Sequence, residues 1–370
     1  VGTLGVLFTA ETQLSMGMAK ENNLHRHGTY NKDQGIQGYL EDNRRVKAIR
    51  LRGNASSALF LSIGSLSWTG IKTEELKEGD TFDVLNGKEI CNKYVRKQKA
   101  TALANKQVAK DRSRVDKIHM PEHIDSLNYW RNARSIKGDA FVTVTQKLHG
   151  TSVRIGNTIV NRRLSLPERA LKRLGLRVEK TEYDHVYGSR KVIKDINNPN
   201  QDHYYSEDLW SNVGKSLDGI IPKGFVLYGE IIGWVGDSPI QKNYTYNLPK
   251  TVNKLYIYRI TTISPTGIQI DLSWEQVKQF CRECGLNHVP ELWNGRHRNF
   301  KVDDFIDKKF ALEGYKTAIP LSPDSPVDEG VVVRAERITP IVLKAKSPIF
   351  LEHETKMLDA EVDDIEEEQK

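Results

Sequence analysis

Phe141-Val-Thr-Val-Thr145, running on through Gln146-Lys147-Leu148-His149-Gly150-Thr151-Ser152, is the stretch on which the reading turns. Apolar and polar residues alternate at period two up to Thr145, the pattern of a strand with one buried face. The strand runs into a lysine and then a glycine turn. A lysine there is offered to a pocket while its backbone stays fixed. To act as a nucleophile it must shed its proton, against a reference pKa of about 10.4. Partial burial, nearby cations or a metal ion must then favour the neutral amine. Alone, the Lys-x-His-Gly piece fits an ordinary surface lysine in a turn better.

Three later pieces change the balance. Tyr228-Gly229-Glu230-Ile231-Ile232-Gly233 is a strand carrying one acid between glycines. Asp328-Glu329-Gly330-Val331-Val332-Val333-Arg334 sets a carboxylate pair before an apolar strand. An acid at such a mouth can hold a divalent metal, directly or through water. In Leu343-Lys344-Ala345-Lys346 the two lysines, at i and i+2 of a strand, project to one face, which suits neutralising a phosphate. Each piece alone is commoner as a solvated turn or strand face.

Their order is more specific than their content. The set Lys147-x-x-Gly150, Tyr228-Gly-Glu230, Glu329-Gly-Val-Val-Val-Arg334 and Lys344-x-Lys346 resembles the covalent nucleotidyltransferases, that is, polynucleotide ligases and capping enzymes. Two further matches resemble RNA ligases in particular. Lys147-Leu-His-Gly-Thr-Ser152 has His149 where DNA ligases carry Asp, and Tyr187-Gly-Ser-Arg190-Lys191 is similar to the accessory RNA-ligase motif. Gly38-Tyr-Leu-Glu-Asp-Asn-Arg-Arg-Val-Lys-Ala-Ile-Arg-Leu-Arg-Gly53 looks like the N-terminal module of template-dependent, nick-sealing RNA ligases. The resemblance extends to about Leu358.

It implies a three-step reaction. Lys147 attacks the α-phosphate of ATP, AMP passes to a 5′-phosphate end, and a 3′-hydroxyl displaces AMP to seal a nick in duplex RNA or an RNA–DNA hybrid. By the same resemblance Glu230 binds ribose, and Tyr256, with Tyr258 as the alternative, stacks on adenine. Gln146, Gly150 and Arg154 belong to the nucleotide site. Glu329 organises Mg²⁺ or Mn²⁺, with His149 a second metal candidate. Lys344 and Lys346 hold the α-phosphate and help Lys147 lose its proton, and Arg190 touches the phosphate or the broken strand. A DNA ligase or a capping enzyme on the same scaffold remains open, as does a nucleic-acid-binding protein with an inactive ligase domain. All the motif residues being present speaks against decay.

Outward from the motifs, the chain reads as an α+β protein. Residues 1–95 form short strands (Val46–Arg52, Ala58–Ser62, Thr81–Leu85) with glycine turns, expected as an N-terminal OB-type β-barrel. Residues 96–118 form a basic linker with Arg96, Lys97, Lys99, Lys106, Lys110, Arg112, Arg114 and Lys117, either a solvated strap or a phosphate-contacting one. Residues 119–358 alternate strands and helices, expected as an adenylyltransferase domain built on antiparallel sheets. Helices are expected at Pro167–Leu174, Glu207–Leu217 and Ser273–Cys284, the last opened by a Ser273/Gln276 capping box and closed by Gly285. Residues 359–370 are an acidic tail.

The net charge of +7 rises once that tail is set aside, because it holds seven acids and one lysine. A basic body suits a polyanionic partner, although charge alone does not require one. No apolar run approaches the ~20 residues needed to cross a bilayer, so no membrane partner is expected, and Gly5–Ala10 reads as a strand. Three cysteines make no disulfide framework and point to an intracellular, reducing setting. Cys281 and Cys284 fall with Trp274 and Val277 on one helix face, expected as core. Nothing in the sequence demands a partner chain, so a monomer is expected.

Overall fold

The computed structural model describes residues 3–94, 114–194 and 205–360. The chain divides into two compact units, Val1–Asn105 with Ser347–Asp363 and Lys106–Lys346 with Asp364–Lys370. Of the expected basic linker, 96–113 lies outside the described residues, and so does the acidic tail beyond residue 360.

The N-terminal unit is held by short antiparallel pairs. Gly5–Thr9 pairs with Ala58–Ser62 and Thr12–Leu14 with Cys91–Lys93. The expected strands at 46–52 and 81–85 shrink to Ile49–Leu51 and Val84–Leu85, each in a two-stranded ribbon. Among the described residues these pieces remain open two-stranded ladders and do not close into a barrel. Phe8, Leu14, Met18, Leu40, Val46 and Leu66 fill the core between them.

Helix Pro348–Asp359 belongs to this unit, although the sequence reading set it in the ligase domain. A buried cation ties it there. The Arg45 side chain, 2% exposed, donates through Nε and Nη2 to the two Glu11 oxygens, both at 2.7 Å. Its Nη1 reaches Asp359 at 3.0 Å. The Thr355 hydroxyl accepts from Ala48 N–H at 3.2 Å and donates to Glu11 at 3.1 Å. A buried guanidinium needs such partners, because its desolvation is otherwise uncompensated.

The second unit is built on two sheets. The five-stranded sheet runs in the order Glu291–Arg296, Phe141–Gln146, Gly330–Ala335, Ile341–Lys346, Leu127–Asn128. It is antiparallel except for its last pair. Val142, Val144, Val331, Val333, Leu343 and Ala345 turn to a core with Phe300, Phe305 and Phe310. The other sheet is antiparallel, in the order Thr181–Ser189, Thr151–Asn161, Phe225–Val235, Asn253–Ile263, Gln269–Asp271, with the short Ser238–Pro239 strand also on 225–235. The chain crosses from one sheet to the other through Lys147–Gly150.

The strand at 141–146 departs from simple alternation in one respect. Thr143 and Thr145 are buried as well as the valines, so both faces of this central strand are covered. Helix Trp274–Cys284 has its capping box, with Ser273 N–H to Gln276 Oε1 at 2.8 Å and Gln276 N–H to Ser273 Oγ at 3.3 Å. Gly285 follows at φ +66° in the left-handed cap. Trp274, Val277 and Cys281 are buried, but Cys284 is only partly so. The buried stripe ends one turn earlier than expected, because Cys284 sits at the helix end. Burial pushes the Cys281 thiol up to about 12, which makes it an inert packing group. The other expected helices form as Leu166–Arg173 and Leu209–Lys215. No described helix is long and apolar enough to cross a membrane.

Candidate active site

Strand register assembles the site. Lys147 N–H donates to Gly330 O at 3.0 Å, so the lysine stands directly across from Gly330. Gly330 in turn pairs with Lys346 on its other side. One row of the sheet therefore reads Lys147, Gly330, Lys346, and the row two residues on, with side chains on the same face, reads Thr145, Val332, Lys344. Leu343 and Ala345 point into the core, so Lys344 and Lys346 share the opposite face. The middle residue of the first row carries no side chain, and the Glu329 carboxylate meets both lysines there. Lys147 Nζ lies 2.8 Å and Lys346 Nζ 3.2 Å from the same oxygen, Glu329 Oε1.

Gly330 has a geometric reason to be glycine. Its φ is +136°, and a Cβ built there would stand 2.0 Å from Ala345 O. Only a residue without a side chain lets the two strands close while Glu329 turns inward.

The second carboxylate is anchored to the same turn from the other sheet. Glu230 Oε1 accepts from Gly150 N–H at 2.9 Å and Oε2 from the Ser152 hydroxyl at 3.3 Å. Ser152, Glu230 and Tyr256 stand side by side on three adjacent strands. Tyr256 lines a cavity of about 680 Å³ with His288, Pro290, Trp293, Thr317 and Ile319. Gln146 fixes that wall, because its backbone N–H bonds Pro290 O at 2.9 Å and its side-chain amide pairs with the Ile319 backbone at 2.8 and 3.1 Å. Gly150, like Gly330, sits where a Cβ would strike a carbonyl, 2.2 Å from Ile231 O.

Gln146 has a second engagement. Its Nε2 donates to Asp328 Oδ1 at 2.7 Å, and Phe310 N–H donates to Oδ2 at 2.8 Å. Burial raises the Asp328 carboxyl to about 6 against these hydrogen bonds, which act in the opposite direction. Asp328 is thus a structural neighbour of the site, holding the segment that delivers Glu329. His149 stands beside Glu329, with Nδ1 3.7 Å from Oε2 and its ring edge-on to Tyr244 at 5.0 Å.

Three further expected residues have partners of their own within the protein. Arg154 is buried two residues beyond Ser152 on the same strand, where Nε and Nη1 donate to Ser189 O and Met120 O, both at 2.9 Å. Arg190 makes an ion pair with Asp125. Tyr258, the alternative stacking residue, hydrogen-bonds His123 at 2.6 Å and packs with the cluster around Tyr228. Sequence reasoning passed over Gln241, Tyr244 and Tyr246. Gln241 Nε2 donates to Gly150 O at 3.0 Å, Tyr246 Oη accepts from His149 N–H at 2.7 Å, and Tyr244 Oη donates to Val327 O at 2.8 Å. The signal was Tyr244-Thr-Tyr246, two tyrosines in a polar loop, which resembles no nucleotide motif.

Residues 140–349 match the RNA ligase family profile, more than half of the chain, and the chain belongs to that family. No curated protein matches it in sequence. Its fold is similar to that of Naegleria gruberi RNA ligase solved with pyrophosphate, with a TM-score of 0.58 at 16% identity, covering 95% of this chain and 87% of that one. An apo aspartate-to-alanine mutant of the same ligase gives 0.57 at 17%, covering 95% and 86%. A glutamate-to-alanine mutant with ATP and manganese gives 0.57 at 17%, covering 94% and 86%. The likeness is one of mixed α/β architecture.

Proposed function

We propose that this chain is an ATP-dependent RNA ligase that seals 3′-hydroxyl/5′-phosphate nicks in duplex RNA or RNA-containing duplexes through a lysyl-AMP on Lys147. The observation that carries the reading is the meeting of Lys147 and Lys346 on Glu329 Oε1, beside Glu230 on the same turn. A lysine amine, a buried acid and a second cation converge where one phosphate would fit.

In the first step the neutral Lys147 Nζ attacks the α-phosphorus of ATP in line. The bond to the bridging oxygen breaks and pyrophosphate leaves. In the second, an oxygen of the 5′-phosphate end attacks that phosphorus and the Lys147 amine departs. In the third, the 3′-hydroxyl attacks the 5′ phosphorus, loses its proton and expels AMP. Each step is a displacement at phosphorus, so positioning and charge neutralisation do most of the catalysis. Lys344 and Lys346 neutralise the phosphate oxygens, Glu230 takes the ribose hydroxyls, and Tyr256 stacks on adenine at the cavity wall. ATP in the Naegleria gruberi ligase structure supports the choice of nucleotide.

The residues fit a hydrated divalent ion. Among the described residues no group of three His, Cys, Asp or Glu side chains is placed to cage a metal. Glu329 alone, with His149 beside it, suits Mg²⁺ or Mn²⁺, which keep several waters and take one or two carboxylates. Such an ion would supply positive charge at the α-phosphate and favour the neutral form of Lys147. We also propose an intracellular monomer that grips its duplex through backbone phosphates, with an OB-type surface in the N-terminal unit. The basic composition and three free cysteines support this.

The test is sealing of four matched nicked duplexes, with ATP and a divalent metal. They differ only in RNA or DNA on the 3′-hydroxyl strand and on the 5′-phosphate strand. Joining only with RNA at the 3′-hydroxyl is expected, through contacts to the 2′-hydroxyl near the break. Equal joining of all four overturns the RNA specificity. Absence of joining, with protein still labelled by ATP, overturns the nick as substrate.

A further inference from the structure

Lys147–Gly150 is a crossover between two sheets, and its backbone polar groups must find partners outside a ladder. Lys147 N–H takes Gly330 O and Gly150 N–H takes Glu230. Two further contacts come from one loop. Tyr246 Oη accepts the His149 N–H at 2.7 Å, and Gln241 Nε2 donates to Gly150 O at 3.0 Å. Both side chains are buried, Gln241 at 5% and Tyr246 at 3% exposed.

The same loop grips the segment that leads into Glu329. Tyr244 Oη donates to Val327 O at 2.8 Å, Thr245 Oγ1 meets Ser322 Oγ at 2.7 Å, and Asn247 Nδ2 donates to Leu321 O at 3.0 Å. Ser325 Oγ donates to Asn243 O. Tyr244 also packs edge-on against His149. Asn243, Tyr246 and Asn247 hold φ of +67°, +54° and +55°. Asparagine tolerates the left-handed region, but a tyrosine there is strained. Strain of this kind persists only where surrounding contacts over-determine it, and here it places one hydroxyl beneath the nucleophile turn.

We propose that the Gln241–Asn247 loop is a positioning brace, in which Tyr246 and Gln241 hold the Lys147 turn in register with Glu329 for the first chemical step. This rests on Lys147 being the nucleophile. Neither residue touches the reacting atoms. They act by fixing the backbone on which the amine is carried, while Tyr244 fixes the backbone that carries the acid. A misplacement of about 1 Å can cost on the order of 10²-fold in rate, so the effect belongs in the rate constant and not in nucleotide affinity.

Tyr246→Phe keeps the ring and removes only the hydroxyl. Single-turnover transfer of label from [α-³²P]ATP to protein is measured across ATP concentrations, with the thermal midpoint recorded in parallel. The expected result is a fall in the maximal rate constant of about 10-fold or more, with half-saturating ATP within about twofold and a cooperative melt retained. Gln241→Leu, which removes the other contact, is expected to behave in the same way and serves if Tyr246→Phe does not fold. Wild-type rate constants in a folded variant overturn the brace, and so does a loss confined to half-saturating ATP. Label that persists in Lys147→Ala overturns the nucleophile assignment itself, and the brace falls with it. That outcome is read in a different protein, so the two failures are distinct.

Discussion

Lys147 Nζ stands 2.8 Å from Glu329 Oε1, although the two residues lie far apart in the chain. The contact follows from register. The backbone hydrogen bond from Lys147 to Gly330 sets the lysine across from the residue that follows the acid. Glu329 is 1% exposed, so its charge is answered by Lys147 and Lys346 and little by water.

Removing either partner of that pair separates the chemistry from the fold. Lys147→Ala is expected to reduce label transfer from [α-³²P]ATP to background and to abolish end joining, because it removes the amine that forms the phosphoramidate. Glu329→Ala is expected to lose about 10²-fold or more of metal-dependent label transfer and to keep a cooperative melt. An active Glu329→Ala enzyme would remove the metal role from this residue.

Gly330→Ala tests the register itself. The added methyl would stand 2.0 Å from Ala345 O at a φ of +136°. The strands must part or the backbone must turn, so a loss of about 3 kcal/mol or more is expected. Urea denaturation gives the number, and label transfer should fall with it because the Lys147–Glu329 spacing depends on this row.

Asp328 gives a pH signature. Burial raises its carboxyl to about 6 in the fold, from an ordinary value of 3.8. Between those values the folded protein holds the proton and the unfolded chain does not. The contribution is therefore fully present below about 4 and is lost as pH rises through about 6. Asp328→Asn lacks this dependence. The stability of wild type minus variant is expected to decline from pH 4 to pH 7, by at most about 3 kcal/mol. A flat difference across that range would remove the protonated carboxyl from the account.

Arg45→Met tests the N-terminal unit. It leaves Glu11, whose side chain is 13% exposed, without its cation and cuts one tie to Asp359. A loss of about 3–5 kcal/mol is expected, as for other broken buried pairs. Arg45→Met combined with Glu11→Leu should recover much of it, read by denaturant midpoints of the full chain.

Local chemistry wrote much of this protein into its sequence. The period-two run at Phe141–Thr145, the Ser273/Gln276 capping box with Gly285, and the alternating Lys344 and Lys346 are short-range signals, set by neighbours a few residues apart. Each appears in the structure with ends within a residue or two. The expected strands at 46–52 and 81–85 form only as Ile49–Leu51 and Val84–Leu85, because local composition does not say how far a partner strand extends. Arg154 and Arg190 carry the right charge for a phosphate, but the protein partners they meet, Ser189 O and Met120 O for one and Asp125 for the other, come from distant segments that the local sequence does not reveal.

The sequence by itself determined the order of the motifs, the residue types they contain and membership of the RNA ligase family. Tertiary structure alone decided that Lys147, Lys346 and Glu329 share one oxygen, that Gly330 leaves the space between them, and that Gln241 and Tyr246 hold the turn from beneath. The division has a physical reason. Periodicity and capping depend on contacts along the chain, whereas which strands pair, in which register, and which loop fills the gap depend on burying surfaces contributed by distant segments.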